Sequence, residues 1–182
     1  MQHPTVQQLK DEFKRLGYKW LPFQGIAIRS RKNDPNKFDD LIGFVHNDTL
    51  TLFDGTTNAG TKPLLNPTNK DGVALVCPGQ YIDTWNLGLH RGKYHAWKQI
   101  KPVNYWRDND RDIIHEKGSK VLSGIQGFNW HRANEKVKST KVENWSEGCM
   151  VIADPEDFFF FMKASAETGL AAYTGTILDE WL

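Results

Sequence analysis

Between Gly17 and Asp154 the apolar residues come in short runs, each bounded by turn-forming residues, and this spacing leaves no room for a long helix. The runs at 26–29, 41–45, 50–53, 73–77, 80–85, 96–100, 103–107 and 127–130 read as strands. His46-Asn47-Asp48 reads as a hairpin tip between two of them. Helical spacing appears only near the ends. Val6, Leu9, Phe13 and Leu16 fall on one face and predict a helix over 5–17, with Thr5 and Gln8 as a capping box and Gly17 as the stop. Asp154 suits an N-cap and Pro155 a first helical position, with Glu156 and Asp157 complementing the dipole. Phe158 to Met162 are apolar all round, which predicts a largely buried helix over 155–168. The expected class is therefore mainly β with flanking helices (α+β), and 182 residues suit one domain over 1–182 with its own core.

Composition narrows the function. A net charge of +1 supplies no global field for holding nucleic acid or an anionic membrane, so neither partner is expected. No segment approaches the run of about 20 apolar residues that crosses a bilayer, so membrane insertion is not expected either. The start, Met1 to Lys10, is polar and lacks the apolar centre of a secretory signal, which leads us to expect synthesis in the cytoplasm without export. In that reducing compartment Cys77 and Cys149 are expected as free thiols. Cys77 ends the apolar run Val73-Ala74-Leu75-Val76 and reads as a small buried hydrophobe.

The chemistry concentrates in 124–157. A strand delivers His131 at its end, a polar loop follows, and the chain returns through Ser146-Glu147-Gly148-Cys149 into an apolar strand, Met150-Val151-Ile152. A thiol attacks only as thiolate and needs a nearby imidazole to take its proton. Glycine before the cysteine permits a tight turn and leaves backbone amides free to stabilise an oxyanion. The plain structural alternatives are a core thiol beside a glycine turn for Cys149, a hydrogen-bonded strand-end histidine for His131, and a simple turn serine for Ser146.

The order histidine, loop, Ser-x-Gly-Cys resembles the signature of L,D-transpeptidase (YkuD-like) catalytic domains, in which histidine precedes cysteine by an interval similar to the eighteen positions from His131 to Cys149. Gly60-Thr61 and Pro78-Gly79-Gln80-Tyr81 are faintly similar to further segments of that family, and the specific match covers 124–152. The resemblance implies an L,D-transpeptidase-like β-sandwich, from a divergent branch of the kind phages carry. It implies Cys149 as nucleophile, His131 as base and later acid, Gly148 and Cys149 as oxyanion amides, and Ser146 as the residue that orders the loop. A histidine oriented by a backbone carbonyl is usual there. The chain departs from the family at Glu147, where a basic residue or histidine is usual, and at Val151, where Arg or Asn is common; both changes remove polar contacts near the nucleophile.

Around this pair, Trp130 and Trp145 flank the site and are candidate walls, with core packing as the alternative. His90, between Gly88 and Gly92, is a candidate cleft residue. The five-residue interval from His90 to His95 matches no zinc pattern, so no metal and no cofactor are expected. Arg107 is a candidate ligand for a stem-peptide carboxylate, with Arg29 and Arg111 as equals. The stretch 54–71 reads as a long surface loop and a candidate substrate wall. Arg107 to Asp112 reads as a solvated turn, and His3, His46 and His115 as exposed and uninvolved. The function implied is cysteine-dependent acyl transfer or hydrolysis at L,D-peptide bonds of peptidoglycan stem peptides through a thioester. In this reading the enzyme reaches the wall at lysis or in a virion. The alternative is an inactive wall-binding or phage structural module on the same fold, which the departures at Glu147 and Val151 favour.

Overall fold

A computed structural model describes residues 1–182. The chain is mainly β with flanking helices. In order, the elements are α1 (Val6–Leu16), β1 (Phe23–Arg29), β2 (Asp40–His46), β3 (Thr49–Thr56), α2 (Thr61–Leu65), β4 (Val73–Val76) and β5 (Gly79–His90). They continue with β6 (Tyr94–Gln99), β7 (Val103–Asp108), β8 (Leu122–Gly124), β9 (Trp130–Arg132), β10 (Met150–Ile152), α3 (Pro155–Glu167) and β11 (Tyr173–Asp179). Eight strands close into a barrel in the order β1-β11-β5-β6-β9-β10-β3-β2, and β4-β7-β8 form a separate sheet. The architecture is thus a closed barrel, where the family resemblance implied a sandwich. Two joins close it: β11 returns parallel to β1, and Trp97 pairs with Trp130 between β6 and β9.

Period-two alternation explains how β1 is buried on both faces. Ile26 and Ile28 point outward under α1, packing with Leu9 and Phe13, while Ala27 points into the main core. The Thr5–Gln8 capping box and left-handed Gly17 bound α1. The main core is aromatic: Trp97 stacks on Tyr173 at 4.6 Å, Trp130 lies parallel to Phe161 of α3 at 5.9 Å, and Trp85 meets Trp130 edge-on. Glycines make the room. A Cβ on Gly25 would lie 2.8 Å from Trp97, and one on its register partner Gly175 would lie 2.6 Å from Trp85.

Several elements differ from the sequence expectation. The stretch 54–71 contains the end of β3 and the short α2, because Pro63 and Leu64 find an apolar niche there. β5 runs on to His90, and β9 begins only at Trp130. His115 is buried, not exposed, and its Nδ1 accepts the Ala59 N–H at 2.9 Å. A backbone amide from a distant loop captures it, which a polar local sequence does not reveal.

Candidate active site

Strand pairing brings His131 and Cys149 to one place. β9 and β10 run parallel, with Trp130 opposite Met150 and His131 opposite Val151. Cys149, one residue before β10, therefore lies beside Asn129, whose carbonyl accepts the Met150 N–H at 3.1 Å. Alternation along β9 sends Trp130 into the core and His131 to the opposite side. Both Cys149 and His131 line a cleft of about 230 Å³, together with Thr68, Asn69, Arg91, Arg107, Trp145 and Glu147. Trp130 is wholly buried, so the wall role expected of it is corrected: the residue next to a cleft-facing strand position faces the core. Trp145, 40% exposed, does line the cleft.

The imidazole is oriented by backbone. His131 Nδ1 donates to the Arg132 carbonyl at 2.8 Å, which leaves Nε2 as the unprotonated nitrogen. Cys149 is half-buried, and its thiol donates to the Gly127 carbonyl at 3.4 Å; no hydrogen bond joins it to His131. Burial, helped by neighbouring His90, pushes His131 down to about 3. Burial also pushes the Cys149 thiol up to about 11, against the pull of the Asn129 backbone and the Arg91 charge. The resting pair is a protonated thiol and a neutral imidazole, not a thiolate–imidazolium ion pair.

Ser146 shapes the turn that presents the thiol. Its Oγ accepts the Gly148 N–H at 3.0 Å and donates to the Cys149 carbonyl at 3.1 Å. Gly148 adopts φ +119°, and a Cβ there would fall 1.8 Å from the Ala74 carbonyl oxygen. Only glycine fits that approach. The Gly148 amide, expected to be free for an oxyanion, is bonded to Ser146, whereas the Cys149 N–H makes no hydrogen bond in the protein.

His90 stacks on His131 with ring centroids 4.3 Å apart and planes 25° from parallel. Its Nδ1 accepts from the Asn129 side-chain amide at 3.2 Å, and burial lowers it to about 4. A second lobe of about 480 Å³ opens on this side, lined among others by His90, Arg91, Tyr94, His131, Arg132 and Trp145. Arg107 stands at the rim of the first lobe, donating to the Gly72 carbonyl and to Gln126 at 2.8 and 2.9 Å. Arg29 is elsewhere: it is buried against Thr57 and the Val76 carbonyl, at a separate cavity that His115 also lines. Arg111 sits in an exposed left-handed turn. Of the three arginines weighed as carboxylate ligands, only Arg107 lines either lobe.

Sequence reasoning passed over Asn129, Gln99 and Arg91. Asn129 shares the His131 face of its strand at period two, a signal that was readable. Gln99 had no local signal, yet its Oε1 accepts the amides of Gln126, Gly127 and Phe128 at 3.0 Å each. That clamp positions the carbonyl which holds the Cys149 thiol. The carboxylate of Glu147 accepts from Thr68 Oγ1 at 2.6 Å.

No family model and no solved structure matches this chain. It is 26% identical over 100 residues to Type II secretion system protein H from Dickeya chrysanthemi, a stretch covering 55% of this chain and 50% of that protein. The chain thus spans about half the length of the curated relative it matches.

Proposed function

We propose that the protein is a cysteine acyl-transfer enzyme of the L,D-transpeptidase type, acting on L,D-peptide bonds of peptidoglycan stem peptides. The observation that carries this reading is the β9/β10 register. It sets a thiol, an imidazole with Nε2 open and an unbonded Cys149 amide around one cleft. In the proposed reaction the thiol leaves the Gly127 carbonyl and passes its proton to His131 Nε2 as sulfur bonds the carbonyl carbon of the L-residue. The Cys149 N–H stabilises the oxyanion. The C–N bond then breaks, and His131 returns the proton to the leaving amine, giving a thioester. An acceptor amine yields a cross-link; water yields a carboxylic acid and regenerates the thiol. Burial disfavours both the thiolate and the imidazolium, so in this order the proton moves to His131 as sulfur bonds carbon and not before. The family sandwich is compatible with the barrel, whose seam between β6 and β9 is the single pair Trp97–Trp130.

A non-catalytic wall-binding or phage structural module is the second reading, favoured by the hydrogen bond that holds the thiol on Gly127 instead of His131. Incubation with purified muropeptides and with intact sacculi, followed by mass spectrometry, separates the two. Exchange or hydrolysis that disappears in Cys149→Ala supports the enzyme. Unchanged peptides with retained sacculus binding support the module. Loss of sacculus turbidity distinguishes wall lysis from trimming of released peptides.

A further inference from the structure

A cavity of about 480 Å³ opens where β1 and β11 end, and none of its lining residues lines either lobe of the cysteine cleft. Its only apolar side chain is Leu75. Three cations, Arg29, Arg31 and Lys117, outnumber the two acids, Asp179 and Glu116. The parallel register of β1 and β11 sets Arg29 opposite Asp179, and His115 reaches the same cavity from the segment between β7 and β8.

Two buried donors meet there. His115 Nδ1 accepts the Ala59 N–H at 2.9 Å, so the neutral ring carries its proton on Nε2. Burial, and then the nearby Arg29 charge, keep that ring neutral. Nε2 is itself buried and has no hydrogen-bond partner, a costly state for a donor. The Arg29 guanidinium is buried too, and its closest partners are neutral: Thr57 Oγ1 and the Val76 carbonyl, each at 2.9 Å. Its carboxylate contact is Asp179 at 3.5 Å, a partly exposed acid that Lys117 holds more closely at 3.0 Å. Asp40, whose charge also bears on Arg29, is taken up by the Ser30 amide and the Thr57 hydroxyl at 2.8 and 2.7 Å. A buried cation with so weak a counter-ion and a buried N–H with no acceptor are satisfied by one kind of group, a negatively charged oxygen.

We infer that this cavity binds a small oxyanion, a carboxylate or a phosphate, on Arg29 and the His115 Nε2–H, with Arg31 and Lys117 at its rim. A guanidinium presents paired N–H groups to either anion. The tautomer fixed by Ala59 makes Nε2 a donor only, so an ammonium or an amide N–H gains nothing from it. Water supplies His115 with an acceptor but brings no charge to Arg29. Asp179 is the internal competitor that the anion displaces. The site stands apart from the acyl-transfer reading and does not depend on it.

The test is calorimetric titration of the full chain at pH 7 and low salt with inorganic phosphate, with N-acetylglycine and with uncharged N-acetylglycine amide. Wild type is expected to bind at least one of the anions saturably and the amide not at all. Binding of phosphate alone assigns a phosphate ligand, and binding of N-acetylglycine alone assigns a carboxylate. Lys117→Met, at the exposed rim, is expected to weaken binding by about two- to fivefold, the scale of an exposed charge pair. Asp179→Asn removes the competing carboxylate and is expected to tighten binding. The imidazole N–H signal of His115 in nitrogen–proton correlation spectra, assigned by its loss in His115→Gln, is expected to move at saturation. Cys149→Ala is expected to bind as wild type does, since the two sites share no residue. Absence of binding by both anions, or binding that leaves the His115 signal unmoved, overturns the site and leaves a water-filled cavity. Equal binding of the amide overturns the requirement for charge. Should Asp179→Asn fail to fold, the wild-type titrations and the His115 signal still decide.

Discussion

At Cys149 the chemistry turns on a proton that burial keeps on sulfur. With the thiol pushed up to about 11, iodoacetamide labelling should rise steadily from pH 7 to 10, by about tenfold per unit, since only the thiolate reacts. A plateau near neutrality would show a preformed ion pair and contradict the resting state described here. Cys77 is more deeply buried, and its thiol is also raised by burial, so it should label more slowly throughout, as mass spectrometry of the two tryptic peptides will show. Replacing the base, His131→Gln, should lower turnover of a stem tetrapeptide by about 100- to 10,000-fold, the usual range for general-base removal. Cys149→Ala should abolish it. Comparable activity in His131→Gln would remove the imidazole from the mechanism.

At the level of elements, the site is a loop problem solved by two clamps. Ser146 ties the turn before β10, and Gln99 at the end of β6 gathers three amides of the 126–128 segment while its Nε2 donates to the Lys101 and Gly124 carbonyls. Gln99→Leu strips partners from that loop, and each buried group left unpaired costs about 1–3 kcal/mol. We expect a loss of at least about 2 kcal/mol in urea unfolding and faster proteolysis around Gly127. Gly148→Ala should be as disruptive, since a Cβ there meets the Ala74 carbonyl oxygen at 1.8 Å. Its readout is unfolding together with tetrapeptide turnover, and wild-type values in both would refute the packing argument. Strands with local alternation were legible at this scale. Of the three-residue strands, β10 was legible as the apolar run 150–152, whereas β8 and most of β9 are too short for a period to declare itself, and the pairing of all three depends on distant neighbours.

For the whole molecule, burial of neutral histidines ties stability to pH. His115 and His131 sit near 3 in the folded protein and His90 near 4, below the ordinary 6.5. Between about pH 6.5 and 4 the unfolded chain therefore binds more protons than the folded one at these sites. Stability falls on acidification through that window, by up to about 1.4 kcal/mol per pH unit for each group. Asp40, buried and raised to about 6, has the opposite sign between about pH 6 and 4 and offsets one of the three. Urea midpoints from pH 7 to 4.5 should drop steeply, and His115→Gln should flatten the slope by one proton. A pH-independent midpoint would contradict the burial of these rings.

Local order was the sequence's own. Capping at Thr5 and Asp154, the apolar face of α1 and the alternation of the longer strands follow from interactions within a few residues, so a single chain segment specifies them. The Ser-x-Gly-Cys turn is of the same kind, because positive φ at Gly148 and the Ser146 hydroxyl bonds act across three residues. Tertiary structure alone decided the rest. Barrel closure needs β11 beside β1, the stacking of His90 on His131 joins residues 41 positions apart, and Trp130 is core instead of wall because of the strand face it occupies. The tilt of two pKa values toward thiol and neutral imidazole likewise comes from burial. Packing of distant segments produces that burial, and no local pattern of residues encodes it.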